Sequence, residues 1–273
     1  MIKIDLHNHT NHSHGQSSVE EMYQAGKDKE LEIMGFSEHS PRPLAYSYPT
    51  EYREHLAATF EQYIQSVCAL KSRSGGPKVL LGLEMDYFPT EEAFIRQTIS
   101  QYPYDYVIGG LHFLGAWGFD HSKEDWQRLS DDEKCACYVD YYQTLTRLAQ
   151  SGLMQIAAHP DLIKLFSVEL FREWTQEAEA KRLIRQAIAA IKENNMAMEI
   201  SSAGLRKPCK EIYPGPAVME IACEIKVPIT FASDAHHFGH VAHAFDKLAA
   251  YARDYGYTES VYFQDNTWRQ MSF

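Results

Sequence analysis

Seven short apolar runs recur along the 273-residue chain, and amphipathic stretches fill the gaps between them. The runs cover residues 2–7, 34–39, 78–87, 104–113, 154–159, 197–202 and 229–236. Each is rich in Ile, Val, Leu, Phe or Tyr, which suits strands buried on both faces of a parallel sheet. Between them, Ser18-Val19-Glu20-Glu21 and Ser130-Asp131-Asp132-Glu133 have the form of a capping box, in which the first Ser and third-following Glu cap a helix start reciprocally. Cys137, Tyr141, Leu145 and Leu148 then recur at spacings of three and four, as do Ile184, Ile188 and Ile191, so each set predicts one buried helix face. Seven strand–helix alternations without a Pro/Gly/Ser-rich linker predict one α/β domain over 1–273, closed or nearly closed into a barrel. An open doubly wound sheet is the competing layout, but no G-x-G-x-x-G follows the first run.

The thirteen histidines matter more for where they fall than for their number. Asp5-Leu6-His7-Asn8-His9 ends the first run, Ser37-Glu38-His39 the second, and Glu84 lies in the third. Gly110-Leu111-His112 ends the fourth, Ala158-His159-Pro160-Asp161 the fifth, and Ser233-Asp234-Ala235-His236 the last. In a parallel barrel the carboxyl ends of the strands gather on one rim, so these residues converge there. Period-two alternation puts His7 and His9 on the same side of an extended chain, where both can reach one ion. His7, His9, His14, His39, His112, His159 and His236 offer imidazole nitrogens, and Glu84 and Asp234 offer carboxylates. Mixed imidazole and carboxylate donors suit Zn, Fe or Mn, and this many donors exceeds the needs of one ion, so two to three are expected. His55, His240 and His243 read as surface residues on helices, and Cys135-Ala136-Cys137 points in diverging directions on a helix.

Lys and Arg number 26 against 37 Asp and Glu, a net charge of −11 that argues against a broad nucleic-acid-binding face. Five cysteines without a C-x-x-C pair read as reduced thiols, and no signal peptide is visible after Met1-Ile2-Lys3-Ile4-Asp5, so a cytoplasmic protein without a membrane span is expected.

These segments, in this order, resemble the polymerase-and-histidinol-phosphatase (PHP) superfamily, and within it most nearly the stand-alone histidinol-phosphate phosphatases. Supporting segments are Ser13-His14-Gly15, Phe36-Ser37-Glu38-His39-Ser40-Pro41, Gly109-Gly110-Leu111-His112-Phe113-Leu114 and Ser202-Ala203-Gly204-Leu205-Arg206-Lys207. The resemblance implies a distorted seven-stranded β/α barrel with a trinuclear metal centre at the carboxyl ends of its strands. It implies that His7, His9, Glu84 and Asp234 hold one metal, that Glu84 bridges to a second completed by His112 and His159, and that His14, His39 and His236 hold the third. His12 competes with His14 for its position. The implied activity is hydrolysis of L-histidinol phosphate, a small-molecule phosphate ester, with in-line attack by a metal-activated hydroxide.

A phosphate dianion approaching a chain of charge −11 needs local cations. Arg206 and Lys207, after the sixth run, and Arg42, after the second, are candidates to hold phosphate oxygens. Asp161, Asp86 and Glu38 are candidates to orient ligands or act as acids. Segments 41–50 and 114–130 have room to arch over the metals, and Tyr46, Tyr48, Trp117 and Phe119 in them either stack on substrate or pack the lids. Competing functions are a PHP-type phosphoesterase acting on another monoester or a diester, an amidohydrolase-type metal hydrolase, and a non-catalytic metal-binding module.

Overall fold

All seven apolar runs contain a strand, and together these strands make one parallel sheet. The computed structural model describes residues 1–46 and 49–273. In chain order the strands are β1 (Ile4–Asp5), β2 (Ile33–Phe36), β3 (Lys78–Asp86), β4 (Tyr106–Gly110), β5 (Phe113–Leu114), β6 (Trp117–Gly118), β7 (Ile156–Ala157), β8 (Ala197–Ser201), β9 (Ile229–Ala232), β10 (Glu259–Gln264) and β11 (Thr267–Ser272). The main sheet runs β1-β2-β3-β4-β7-β8-β9, with every neighbouring pair parallel. Beyond the formal strand ends the first and last members meet. The amide of Leu6 reaches the carbonyl of Phe231 at 3.5 Å and that of His9 reaches Ala235 at 2.8 Å, so the sheet comes nearly closed into a barrel.

Period-two alternation sorts the side chains of each strand. On β3, Leu80 joins the interior cluster with Ile4, Leu6, Tyr106 and Ile108, while Leu81, Leu83 and Met85 face the surrounding helices. The same alternation turns Glu84 inward. On β8, Met198 and Ile200 face the helices, which turns Glu199 inward as well. Tyr106 fills the middle of the barrel and donates its hydroxyl to the carbonyl of Leu6.

Both capping boxes form as their sequences require. Ser18 and Glu21 cap the helix Val19–Asp28, and Ser130 and Glu133 cap the helix Asp131–Gln150. Tyr141, Leu145 and Leu148 are buried from the latter, and Ile184, Ile188 and Ile191 from the helix Ala178–Glu193. The last helix begins later than its sequence implies, at Phe245, because Ala242 and Ala244 take left-handed backbone angles (φ 53° and 55°). His240 and His243 therefore precede that helix rather than opening it. The amphipathic reading also missed the hairpin β10–β11. Its turn, Asp265-Asn266, has φ of 51° and 55°, the geometry that a two-residue hairpin connection demands. Val261 and Phe263 from β10 enter the interior cluster, and the turn amides of Asp265 and Asn266 bond Asp105 just before β4. The hairpin thus plugs the amino-terminal end of the barrel, opposite the histidines. Among the described residues no helix is long and apolar enough to cross a membrane.

Candidate metal centre and active site

At the carboxyl end of the barrel, Glu84 stands at the middle of the histidines. Its Oε2 lies 3.3 Å from His7 Nε2, 3.3 Å from His9 Nε2 and 2.9 Å from His39 Nδ1. Its Oε1 lies 3.2 Å from His159 Nε2 and 3.5 Å from His112 Nε2. One carboxylate therefore faces two groups of imidazoles, one on each oxygen. Asp234 closes the first group, with Oδ1 at 3.9 Å from His7 Nε2, 3.5 Å from His9 Nε2 and 3.4 Å from His236 Nδ1.

The backbone is bent to achieve this. His159 (φ 24°) and Asp234 (φ 48°) both sit at positive φ, which residues with a Cβ adopt only when their surroundings enforce it. The His159 amide donates to Glu199 Oε1 at 3.2 Å. Asp5 accepts from the Ser233 amide at 3.0 Å and hydroxyl at 2.6 Å, and Arg206 donates to the carbonyls of Ser233 (2.7 Å) and Asp234 (3.0 Å). Gly110 ends β4 where a Cβ would stand 2.7 Å from His112 Cε1 and 2.9 Å from Glu84 Oε1, so only glycine leaves both side chains their places.

Carboxylates behind the ring fix the imidazoles. His7 Nδ1 lies 2.7 Å from Glu199, His9 Nδ1 lies 3.1 Å from Glu38, and His112 Nδ1 bonds Asp86. A carboxylate at Nδ1 keeps the proton there and leaves the Nε2 lone pair facing the centre. Glu38 is itself held by the Thr10 hydroxyl (2.6 Å) and Ser13, and Asp86 by Arg42 Nε at 2.8 Å. Burial opposes charge on Glu84, yet His7, His39 and His112 hold it well below the usual carboxylate range. For Asp234, Lys207 and His7 do the same against burial. His9 is pushed up to about 10 by Asp234, Glu38 and Glu84 despite burial, and His112 to about 9 by Asp86 and Glu84. His14 goes the other way, to about 2, through burial and the neighbouring His39 and His9.

The donor set fits metal ions. His7 Nε2, His9 Nε2, His39 Nδ1, His236 Nε2 and Glu84 Oε2 are all buried without a hydrogen bond, a costly state that bound cations would relieve. Among the described residues, three donor groups have ligand atoms within 4.8 Å of one another: His7, His9 and Glu84; His39, Glu84 and His112; and His9, His39 and His236. His14 joins at the rim, its ring 4.2 Å from His236 and 5.0 Å from His39, with Nδ1 2.9 Å from the Tyr52 hydroxyl. His39 stands nearer to Glu84 than a place in the third group alone would give, because the β2–β3 ladder continues through a bridge between these two residues.

The remaining histidines fall outside these groups. His12 turns away, its ring 6.3 Å from Tyr63, and His55 lies on the helix Thr50–Lys71. His237, His240 and His243 form a chain of ring contacts on the surface. Cys135 and Cys137 lie on the helix Asp131–Gln150. Glu199 escaped the sequence reading, which looked for donors at the ends of runs. The signal was a carboxylate between Met198 and Ile200, inside a run whose neighbours face outward.

A cavity of about 620 Å³ opens above the cluster, with His14, His39 and His112 at its base. Arg42 and Lys207 line it, Lys207 with Nζ 3.3 Å from Asp234 Oδ2 and Arg42 over the rings of Tyr52 and Phe113 at about 5 Å. Arg206 does not line it. Its guanidinium is committed to the carbonyls of Ser233 and Asp234, against the loop that carries Asp234. Asp161 is also committed, to Lys164 Nζ (2.6 Å) and the Gly215 amide (2.7 Å). Three of the expected lid aromatics, Tyr46, Trp117 and Phe119, pack rather than line the cavity. Tyr46 stacks on Phe88, Trp117 meets Trp126, and Phe119 is fully buried against Tyr141, while Tyr48 lies outside the described residues. Phe113, Leu165, Phe166 and Pro208 supply the apolar wall instead.

The sequence profile of the PHP domain matches residues 5–203. A Deinococcus radiodurans protein named Probable histidinol-phosphatase is 32% identical over 255 residues, covering 92% of this chain and 93% of that protein. The Histidinol-phosphatase of Bacillus subtilis is 29% identical over 266 residues, covering 90% and 98%. The crystal structure of histidinol phosphate phosphatase from Lactococcus lactis, complexed with Zn, L-histidinol and phosphate, superposes with a TM-score of 0.72 at 19% identity, covering 98% of each chain. That likeness shows the fold.

Proposed function

The chain belongs to the PHP domain family, and from that premise we propose that it is a metal-dependent phosphomonoesterase that hydrolyses L-histidinol phosphate to L-histidinol and phosphate. The observation that carries the reading is the set of buried, unbonded imidazole nitrogens converging on Glu84 beneath a cavity with cationic side chains. The names of the Deinococcus and Bacillus relatives and the ligands of the Lactococcus protein support the substrate.

His7, His9, Glu84 and Asp234 would hold one ion, and Glu84, His112 and His159 a second, with His39 at its edge. His14, His39 and His236 would hold a third. Two to three divalent ions, Zn, Mn or Fe, suit such nitrogen and oxygen donors. When bound, such ions supply Lewis-acid charge at phosphoryl oxygens and lower the pKa of water.

The chain's own residues do the rest. Lys207 and Arg42 carry positive charge on the cavity wall, where a phosphate would sit in a chain of net charge −11. Glu199, Glu38 and Asp86 keep the imidazole protons at Nδ1, and Arg206 and Asp5 hold the loop that presents Asp234. Residues 1–273 form one barrel domain in this reading, because Val261 and Phe263 of the final hairpin share the barrel's interior cluster.

The test is phosphate release. Protein loaded separately with Zn, Mn or Fe is given histidinol phosphate, a panel of other monoesters and one diester, and kcat/KM is compared. Histidinol phosphate should lead by orders of magnitude. Equal rates across the monoesters, or cleavage of the diester alone, would remove the substrate from the proposal.

A further inference from the structure

Among the described residues, one carboxylate on the cavity wall lacks both a hydrogen bond and an ion pair. Asp120 follows β6, is half-buried, and lines the cavity together with His112, Arg42 and Lys207. Among the described residues its carboxylate makes no hydrogen bond and no ion pair, although each other carboxylate close to the metal cluster has a donor or a cation against it. Its position is fixed from the preceding residue. Phe119 is fully buried, its amide donates to the carbonyl of His112 at 3.1 Å, and its own carbonyl accepts from the Trp126 indole. The charge of Asp120 reaches across the cavity to Arg42, His112 and Lys207, adding to the larger effects of burial, Asp86 and Asp234 there.

An unpaired anion in this place works against the reaction as it stands. It repels a phosphate dianion and draws on the field of the two cations that would receive it. A site for monoesters of neutral alcohols is better served by a neutral or basic side chain. A substrate that brings a cation of its own turns this unfavourable charge into a favourable contact. A phosphorylated amino alcohol does so, because its primary amine is an ammonium ion near neutral pH and sits close to the phosphate.

We propose that Asp120 is a specificity residue that pairs with the ammonium group of the substrate, so that the site selects phosphate monoesters of amino alcohols over those of neutral alcohols. The apolar wall of Phe113, Leu165 and Phe166 accommodates the remainder of the alcohol. The inference rests on the phosphomonoesterase reading above and names the feature by which that site chooses its substrate.

The experiment compares L-histidinol phosphate with 3-(imidazol-4-yl)propyl phosphate, which lacks only the amine. The full-length metal-loaded protein and its Asp120→Asn and Asp120→Ala variants are assayed by phosphate release, with metal content measured in each. The wild type should favour the amine-bearing ester in kcat/KM by about 10- to 100-fold, the range of a hydrogen bond to a charged group. In both variants that ratio should fall to near one with metal content unchanged. A wild-type ratio near one overturns the proposal without any variant. So does a ratio that survives the substitution while both substrates slow together, which would make Asp120 part of the chemistry common to both. If the wild type cleaves neither ester, the phosphatase reading itself fails; if it cleaves both alike, that reading stands and only the role of Asp120 falls.

Discussion

Glu199→Gln should weaken metal binding without unfolding the barrel. Glu199 is fully buried on β8, where Oε2 lies 2.7 Å from His7 Nδ1 and Oε1 receives the His159 amide at 3.2 Å. Glutamine keeps the shape but has one acceptor and one donor in place of two acceptors. If its amide nitrogen faces His159, two N–H groups meet and the strained His159 turn loses its anchor. If it faces His7, the imidazole must move its proton to Nε2, the atom directed at Glu84 and Asp234. Either way a buried donor is misplaced, at a cost of about 1–3 kcal/mol. Loss of such a carboxylate–imidazole partner typically lowers metal affinity about 10- to 100-fold. At about 1.4 kcal/mol per tenfold, that is roughly 1.4–2.8 kcal/mol, the same range reached from the hydrogen bonds. The assay is competition with a chromogenic chelator, run beside a thermal melt of the metal-free protein. A metal Kd within twofold of wild type would refute the role assigned to Glu199.

Arg206→Ala should lower turnover about tenfold through loss of metal, since the bonds that hold Asp234 at φ 48° are removed, and added metal should restore the rate. Lys207→Met should instead raise KM and weaken inhibition by inorganic phosphate, and steady-state kinetics at saturating metal should show no rescue. Gly110→Ala places a methyl group 2.7 Å from His112 Cε1, so about 1–3 kcal/mol of stability and part of the metal content should be lost, read by melting and elemental analysis. His9 at about 10 and His112 at about 9 are raised above the ordinary 6.5, so their contribution to the metal-free fold is complete below 6.5 and is lost as pH rises through 9–10. Calorimetry of the metal-free protein from pH 7 to 10 should show falling Tm, and a Tm that rises over that span would contradict the assignment.

What could be read from the chain beforehand was whatever a linear pattern determines. Run length, flanking helical periodicity and the two capping boxes are local properties, and the barrel follows from seven of the first alternating with the second. The rim follows too, because parallel strands must share an end. Glu199 shows where this reading stops. Its neighbours Met198 and Ile200 made the run look continuously apolar, and only the direction of the strand reveals that the carboxylate points at His7. His12 and His14 differ by two residues in one loop, and what separates them is tertiary. The Gln16 amide reaches the carbonyl of His236 at 2.7 Å and draws His14 to the rim, while His12 packs toward Tyr63. Arg206 reaches the rim as its position implied, but its guanidinium is taken up by carbonyls that no sequence pattern marks. The hairpin β10–β11 had a legible turn in Asp265-Asn266, and its role as a plug depends on two side chains entering a core assembled elsewhere.

The site also departs from the rules that the rest of the fold obeys. At the site two residues with side chains occupy left-handed backbone, a glycine ends a strand, and the inward nitrogens of several imidazoles lie buried without a hydrogen bond. Each of these is unfavourable in isolation. The supporting groups make them tolerable in sum, since Asp5, Glu199 and Glu38 each accept, and Arg206 donates, a hydrogen bond that fixes one ligand loop or one imidazole. What they cannot supply is positive charge between Glu84 and the nitrogens around it. In the metal-free protein, protons on His7, His9 and His112 supply it, since the facing carboxylates raise all three imidazoles above their ordinary range. Divalent ions held by these residues would supply a larger charge in place of those protons, and at a free concentration a thousandfold above Kd one ion would add about 4 kcal/mol to the stability of the folded state. The geometry that looks strained in the chain alone therefore suits bound metal, and residues outside the proposed ligand set hold it in place.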